Sequence, residues 1–304
     1  MLAEFNSLME LVTALPDEQS CIDHFRAIRW KSGAFCPYCG STKVYDFSDK
    51  RTHKCGDCRQ RFSIKVGTIF EDTKLPLRKW FMAIWMITSH RKGISSAQLA
   101  RDIKITQKSA WFVLHRLRFA ARTKSFNRPL KGEVEADETF VGGKEKNKHA
   151  HQRTGGKQGG KGKVAVLGML ERGGELRAMT VDSVTAREVQ GKINEHVAPG
   201  ANLMTDEAKV YNGLEARYNR HSVNHSAGEY VKWYFCHVNG LEGAWSLFKR
   251  QVYGIHHWIS AKHTDRYLSE FTWRYNLRDA EEGDRMNALL GRVSGRLTYK
   301  DLIA

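Results

Sequence analysis

Two aspartates lie within or at the end of predicted strands that are otherwise suited to burial, which makes them candidate metal ligands. Asp137 sits within a predicted strand, Glu133–Val141, that is otherwise suited to burial, and Asp206 closes another predicted strand. Burying a carboxylate is costly unless it is paired or bound to a metal. Carboxylates on neighbouring strands can hold two divalent ions, about 4 Å apart, against a phosphodiester. Oxygen ligands of this kind suit Mg2+ or Mn2+. Taken singly, each aspartate favours a simple strand-end turn.

A third candidate group lies on a predicted amphipathic helix between His237 and Arg250. Asn239, Glu242 and Lys249 stand three and seven residues apart, so they share one face of that helix. If Glu242 meets the two aspartates, Lys249 is expected near the scissile phosphate or a flanking one. The alternative is an ordinary solvated helix face.

Four cysteines form two Cys-x-x-Cys pairs, Cys36 with Cys39 and Cys55 with Cys58, separated by fifteen residues. Each pair forms a tight turn that directs two thiolates at one ion, and this spacing is typical of a zinc ribbon. Four thiolates fill a tetrahedral shell, so the predicted Zn2+ is structural. Disulfide pairing is the alternative, and it is disfavoured because the N-terminus does not resemble a secretion signal.

Basic side chains are concentrated in one part of the chain. The 304 residues carry a net charge of +16, and residues 36–130 alone carry twenty basic and six acidic side chains, a net of +14. This asymmetry favours a nucleic-acid-binding module over a basic surface kept for solubility. No apolar run is long enough to span a membrane, which predicts a cytoplasmic protein without a membrane partner.

Residues 76–123 are predicted to be helical, with Ser95 or Ser96 and Thr106 as N-caps. The last two helices, separated by a short turn, have the pattern of a helix-turn-helix, whose second helix enters the major groove of DNA. A three-helix bundle without a role in DNA binding has the same periodicity. The predicted DNA contacts of this region are Gln107, Lys108 and Arg116.

From Lys131 onward the pattern changes to strands. The predicted order is strands Glu133–Val141, Lys163–Leu170 and Leu176–Val181, a helix from Thr185 to His196, a strand Asn202–Asp206 and a helix about Val210–Tyr218. This order predicts a mixed sheet flanked by helices. Residues 142-163 are rich in glycine and lysine and are predicted to form a mobile loop, either a DNA clamp or a solvated hairpin tip. The C-terminal helices are expected to cover the sheet.

At several separated places the sequence resembles a known family. It is similar to the bacterial insertion-sequence transposases that combine an N-terminal zinc ribbon with a DDE catalytic domain of ribonuclease H-like fold, the ISXO-type group. The resemblance covers nearly the whole chain. The matching stretches are Pro16–Glu18 with Arg29 and Trp30, Cys36–Gly40, Val134–Gly143, Thr205–Glu207, His237–Arg250 and Leu297–Ile303.

The resemblance implies that Asp137 and Asp206 are the first two ligands of catalytic Mg2+ or Mn2+. The family is described with either an asparagine or a glutamate as the third ligand. We favour Glu242 and keep Asn239 open. Lys249 and Arg250 are expected to contact DNA. The implied chemistry is hydrolysis at the transposon ends and attack of the freed 3′-hydroxyl on target DNA. The implied partners are double-stranded DNA, as terminal inverted repeats and target, and a second copy of the chain in a dimer or larger assembly.

The sequence therefore predicts a multidomain α/β protein. Its expected parts are N-terminal helices at 1-35, a zinc ribbon at 36-70, a helix-turn-helix domain at 71-128 and a ribonuclease H-like domain at 129-304. One alternative is a DNA-binding protein or regulator of the same ancestry with an inert acidic site. A stand-alone nuclease would explain the acids but would leave the ribbon and the helix-turn-helix without a role.

Overall fold

The computed structural model of the chain describes residues 3–122, 128–143, 162–223 and 236–304. The chain divides into two compact units, the first formed by residues 1–121 and 279–304 and the second by residues 122–278. Across those described ranges, no helix combines the length and the apolar character needed to cross a membrane.

The first unit combines a small sheet with helices, numbered here in chain order. Its elements are α1 (Leu8–Ala14), α2 (Glu18–Arg29), β1 (Val44–Asp46), β2 (Thr52–Cys55), β3 (Arg61–Ser63), α3 (Leu77–Ser89), α4 (Ser96–Asp102), α5 (Gln107–Ala120), α9 (Glu282–Leu290) and α10 (Tyr299–Ile303). Strands β1, β2 and β3 pair antiparallel in that order. This sheet supplies the short strands that a zinc ribbon requires.

Helices α4 and α5 begin where the sequence predicts. The Ser95 side chain accepts a hydrogen bond from the backbone N–H of Gln98, and the Thr106 side chain accepts one from the N–H of Ser109. Each cap satisfies a helix N–H that has no partner within the helix. Both predicted caps are therefore confirmed, and the two helices are joined by a short turn.

The C-terminal segment packs differently from the prediction. Helix α9 lies against α3 in the first unit, and His24 Nε2 lies 2.8 Å from Asn287 Oδ1. The backbone N–H of Ile69 also donates to the carbonyl oxygen of Val293 at 2.9 Å. Residues 279–304 thus belong to the first unit. The expectation that every C-terminal helix covers the catalytic sheet is wrong beyond residue 278, because α9 finds its apolar partners on α3.

Arg116 takes part in the same C-terminal docking. Its side chain is buried, and its Nη1 atom donates to the carbonyl oxygens of Ile69 at 2.7 Å and Glu71 at 2.9 Å. Its Nε atom donates to the carbonyl oxygen of Leu297 at 3.1 Å. A guanidinium engaged in this way cannot also face a phosphate. The structure contradicts the predicted DNA contact of Arg116, which instead ties α5 to two other segments.

The second unit contains a five-stranded mixed sheet with helices. Its elements are β4 (Glu133–Val141), β5 (Val164–Glu171), β6 (Leu176–Val181), α6 (Ala186–His196), β7 (Asn202–Thr205), β8 (Asn219–Ser222), α7 (Asn239–Gln251) and α8 (Thr264–Asn276). The strand order is β6-β5-β4-β7-β8. The pairs β4–β5 and β5–β6 are antiparallel, whereas β4–β7 and β7–β8 are parallel. The predicted mixed α/β architecture is confirmed.

One predicted helix of this unit is wrong. In place of a helix about Val210–Tyr218 the structure has two 3-10 turns, Lys209–Tyr211 and Leu214–Ala216. Gly213 between them has φ of +100°, a left-handed conformation that stops a continuous helix and that glycine adopts without steric cost. The chain then forms β8, a short edge strand of polar residues that the hydrophobic pattern did not predict.

Strand β4 separates two apolar cores because its side chains alternate between the faces of the sheet. Val134 and Ala136 pack in the cluster that contains α6, whereas Val141 packs in the cluster that contains α7 and α8. The odd-numbered residues of β4 therefore face α7. Asp137 is one of them.

Candidate active site and zinc site

The sheet register brings Asp137 and Asp206 together. Strand β7 runs parallel to β4, with Glu135 opposite Met204. The same register continued by two residues places Asp206, which directly follows β7, opposite Asp137. Adjacent strands lie about 4.8 Å apart. Two carboxylates that are far apart in the sequence therefore meet at one point of the sheet.

The electrostatics of Asp137 agree with this placement. The pKa of Asp137 is raised to about 6, first by burial and then by the negative charges of Asp206 and Glu242. A carboxyl group resists ionisation when it leaves water and when like charges lie nearby. Three acids from β4, the end of β7 and α7 thus share one electrostatic environment. This concentration of oxygen donors and negative charge fits a divalent cation.

Glu135 fixes the start of α7 against the same strand. Its carboxylate is 1% exposed, and its Oε2 atom accepts a hydrogen bond from the backbone N–H of Leu241 at 2.8 Å. Arg172 Nε donates to Oε1 of Glu135 at 2.8 Å, and Arg172 Nη2 donates to the carbonyl oxygen of His237 at 2.9 Å. A negative charge at a helix N-terminus is stabilising. Strand β4 therefore positions both Asp137 and the helix that carries Glu242.

A glycine on β5, the strand next to β4, leaves room for a side chain from the middle of α7. Gly168 of β5 pairs with Asp137, and a Cβ atom built on Gly168 would lie 2.3 Å from Trp245 Cζ2. The indole ring occupies the space that any other side chain at position 168 would fill. Helix α7 can therefore approach the sheet closely beside Asp137.

The remaining helix residues predicted for the site are exposed. Asn239 and Glu242 lie in the first turn of α7, and Lys249 and Arg250 lie in its last turn. Within the described ranges, the three carboxylates do not all come within 4.8 Å of one another; only the four cysteines form such a group.

Glu138, which follows Asp137 on β4, is a second acid that the sequence did not single out, and as an even-numbered residue it lies on the α6 face of the sheet. Glu138 is partly buried. Burial, together with the nearby charges of Asp137 and Asp206, raises its pKa to about 7. Its neighbour Tyr211 is fully buried, and burial raises the pKa of the Tyr211 hydroxyl well above its usual value. Because adjacent strand residues point to opposite faces, Glu138 is placed beside Tyr211 and not among the ligands on the face of Asp137.

The four cysteines of the ribbon meet as predicted. All four sulfur atoms lie within 4.8 Å of one another, with 3.6 Å between Cys36 and Cys58 and 3.6 Å between Cys39 and Cys55. Sulfurs bound tetrahedrally at 2.3 Å from a zinc ion lie about 3.8 Å apart, whereas disulfide sulfurs lie about 2.05 Å apart. The donor set therefore fits structural Zn2+ and excludes disulfides between these cysteines.

Replacing Cys39 by serine is expected to release the zinc ion and to weaken DNA binding, because the small sheet of the ribbon has little core of its own. Zinc content by mass spectrometry and DNA affinity by anisotropy measure the two effects. Cys21→Ala, at a buried thiol outside the cluster, is the matched control and should keep its zinc. DNA affinity that persists after the zinc is lost would assign the ribbon another purpose.

The predicted base-contacting residues of α5 have different surroundings. Gln107 is exposed, and its Nε2 atom donates to Ser96 Oγ at 2.9 Å. Lys108 is exposed too, with its Nζ atom 5.2 Å from the centroid of the Tyr299 ring in α10. Both side chains remain available at the N-terminal end of α5. The predicted loop at 142-163 falls largely on residues 144–161, outside the described residues.

Two protein-family models match most of the second unit and the ribbon. Residues 129–276 match the ISXO2-like transposase domain, and residues 16–61 match the transposase zinc-ribbon domain. A protein of the transposable element ISH50 from Halobacterium salinarum, itself uncharacterised, is 30% identical over 263 residues, which cover 81% of this chain and 87% of that protein. The chain therefore belongs to the ISXO2-like family of DDE transposases with an N-terminal zinc ribbon. Because this relative is archaeal, membership does not establish a bacterial origin.

Two solved structures of the Mos1 transposase were also found. A pre-cleavage transpososome is 13% identical with a TM-score of 0.25, covering 75% of this chain and 82% of that one. A paired-end complex with the left transposon end is 14% identical with a TM-score of 0.27, covering 74% and 82%. Scores this low do not establish a common fold.

Proposed function

We propose that this chain is an active DNA transposase that cuts and joins DNA strands at a metal site formed by Asp137 and Asp206. The observation that carries the proposal is the parallel register of β4 and β7 up to Glu135 and Met204, which, extended by two residues, would set Asp206 opposite Asp137. The strand order β6-β5-β4-β7-β8, with its antiparallel and parallel pairs, supports the ribonuclease H-like arrangement that the family implies.

The residues of the site divide the work of phosphoryl transfer. Bound Mg2+ or Mn2+ would activate the attacking oxygen and stabilise the leaving one. Asp137 and Asp206 would hold the metal, because their oxygens are hard ligands in a concentrated negative field. Glu135 and Arg172 orient α7, which brings the third ligand to them. No side chain is required as a covalent nucleophile.

Lys249 and Arg250 are the proposed phosphate contacts of the catalytic unit. Both are exposed in the last turn of the helix that carries Glu242. Cations placed there can bind the backbone of the strand on either side of the cleaved phosphate. They also offset the repulsion between a polyanion and a cluster of acids.

The first unit is proposed to recognise the terminal inverted repeats. Residues 36–130, most of which lie in this unit, carry a net charge of +14, and α4 and α5 have the lengths and caps of a helix-turn-helix. Gln107 and Lys108 lie at the end of α5 that would meet base edges. Pairing two transposon ends further requires at least a dimer of the chain on DNA.

The third ligand is tested by comparing Glu242→Gln with Asn239→Ala. We expect Glu242→Gln to lower magnesium-dependent cleavage of a terminal-repeat substrate by about a hundredfold or more, and Asn239→Ala to have a smaller effect. The physical reason is that the Glu242 charge acts on Asp137. Equal DNA affinity of both variants is the control. The reverse order of damage would assign the ligand to Asn239.

A further inference from the structure

A short exposed segment directly after α7, residues 252–258, carries two aromatic rings in solvent. Trp258 is 66% exposed and Tyr253 is 42% exposed. Val252 and Ile259, at either side of them, are buried. Large aromatic side chains are usually buried or highly covered, so an indole ring this exposed marks a candidate contact surface. We call residues 252–258 the aromatic segment.

The aromatic segment is held in a fixed conformation by a buried polar network. Gln251 is 1% exposed; its Oε1 atom accepts from Arg274 Nη2 at 2.7 Å, and its Nε2 atom donates to Glu270 Oε1 at 3.2 Å. Glu270 and Arg274, both buried on α8, also form an ion pair. The Gln251 amide reaches on to His256, within the aromatic segment, at 3.3 Å. A buried network of this kind orders the backbone that it contacts.

The backbone of the aromatic segment is itself unusual. Residues Val252–His256 form a π-helical turn at the end of α7, and His257 has φ of +62° without being a glycine. Such turns and left-handed residues cost free energy and are found disproportionately at functional sites. The backbone that holds these two exposed rings therefore adopts a conformation that lowers the stability of the fold.

The location of the aromatic segment links it to the candidate active site. The Tyr253 hydroxyl donates to the carbonyl oxygen of Gly142, which follows β4 directly. Gly142 lies five residues beyond Asp137 on that strand, which corresponds to about 17 Å at the rise of a β-strand. A DNA strand held at Asp137 would therefore need only a few nucleotides to reach Tyr253, the first ring of the aromatic segment.

The charge around the aromatic segment matches a polyanion. From Gly243 to Thr264 the chain contains Lys249, Arg250 and Lys262 and no acidic residue. Nucleobases stack on exposed aromatic rings irrespective of sequence, while nearby cations bind the phosphates. An apolar protein partner would account for the rings but not for the absence of acids.

We propose that Trp258, supported by Tyr253, stacks an unpaired nucleobase of the DNA strand next to the cleaved phosphate. The inference rests on the proposed function in taking DNA as the partner, but it concerns binding and not catalysis. The ligand is therefore a DNA strand with an accessible base, as found at a frayed or distorted duplex end. A fully paired duplex offers no free base face to the ring.

The test compares Trp258→Ala with Trp258→Phe in the full-length, zinc-loaded chain without magnesium. Anisotropy measures affinity for a labelled blunt duplex and for the same duplex with a single-stranded oligothymidine overhang. We expect Trp258→Ala to weaken binding of the overhang duplex about tenfold and that of the blunt duplex much less, because stacking on one base contributes this much. Trp258→Phe should retain most of the affinity. Leu247→Ala, at an exposed apolar residue of α7, is the matched control and should change neither value.

Three outcomes would overturn the inference. Unchanged affinity for the overhang duplex would show that Trp258 does not contact DNA bases. An equal loss on both duplexes would point to a general effect on the fold or on phosphate binding. A change in oligomeric state with unaltered DNA affinity would assign the surface to a second copy of the chain. Because no cleavage is measured, an inactive metal site would leave this test unaffected.

Discussion

Replacing Asp137 by asparagine is expected to abolish magnesium-dependent DNA cleavage and, at the same time, to stabilise the metal-free protein. Cleavage is lost because a neutral amide would hold a divalent metal ion less well than the Asp137 carboxylate. Stability is gained because the native protein buries the Asp137 carboxylate beside Asp206, which raises its pKa from 3.8 to about 6. The shift corresponds to about 2 to 3 kcal/mol of unfavourable free energy at neutral pH.

The pH dependence of this gain follows from the direction of the shift. The folded protein binds the Asp137 proton more tightly than the unfolded chain, so this residue lowers stability as pH rises from 3.8 to about 6. The stabilisation by Asp137→Asn should be complete above pH about 6 and should vanish below pH 3.8. Thermal unfolding in magnesium-free buffer without chelator, so that zinc stays bound, measures it.

The control for this prediction is Glu195→Gln, which removes an exposed acid from α6 in the same unit and should alter neither property. An Asp137→Asn variant that is less stable than wild type at neutral pH would show that the carboxylate supports the fold. Retained cleavage would remove Asp137 from the catalytic site.

Removing the Glu135 carboxylate is expected to produce the second large effect. Glu135→Ala leaves Arg172 without its buried partner and the N-terminus of α7 without its acceptor. Breaking a buried ion pair from one side costs about 3 kcal/mol or more. A displacement of α7 by about 1 Å can lower the rate of cleavage about a hundredfold. Glu135→Gln, which keeps an acceptor for Leu241, should recover part of the rate.

The magnesium requirement for cleavage, compared between two variants, separates a positioning role of Glu135 from simple destabilisation. If Glu135 acts through α7, the magnesium concentration for half-maximal cleavage should rise in Glu135→Ala at temperatures where the variant is fully folded. Glu133→Ala removes the other, more exposed acidic partner of Arg172 and should leave this concentration nearly unchanged. A lower rate at an unaltered magnesium requirement would mean that the pair contributes stability only.

Local signals in the sequence were sufficient for much of this architecture. The strand-like pattern beyond Lys131 located β4 and β6, the spacing of four cysteines predicted a shared site, and Ser95 and Thr106 marked two helix starts. Each of these features depends on residues close together in the chain. These features can therefore be predicted without knowledge of the tertiary structure.

Features that depend on distant partners could not be predicted in this way. The burial of Arg116 requires carbonyl groups at Ile69 and Leu297, and a basic residue on a helix otherwise looks like a DNA contact. The docking of α9 on α3 joins segments about 200 residues apart, so helix periodicity alone could not choose its partner. The edge strand β8 has too few apolar residues to show a period.

The same distinction applies within the candidate site. Asp137 and Asp206 were recognisable because acids at buried strands are unusual, and Glu242 was recognisable from its spacing to Lys249 on a predicted amphipathic helix. Glu135 and Arg172 were not recognised, because their role depends on a contact with Leu241 and His237 across more than sixty positions of sequence. Only the folded chain shows that β4 carries both the proposed ligand Asp137 and Glu135, which supports the helix that carries Glu242.

The central claim is most directly tested by locating manganese in crystals of the full-length chain by anomalous diffraction, at ion concentrations that support DNA cleavage. We expect an anomalous peak from a manganese ion that is bound by carboxylate oxygens of both Asp137 and Asp206, with Glu242 or Asn239 completing the site. That peak should be absent in Asp206→Asn. Manganese bound elsewhere, with none between the two aspartates, would contradict the account.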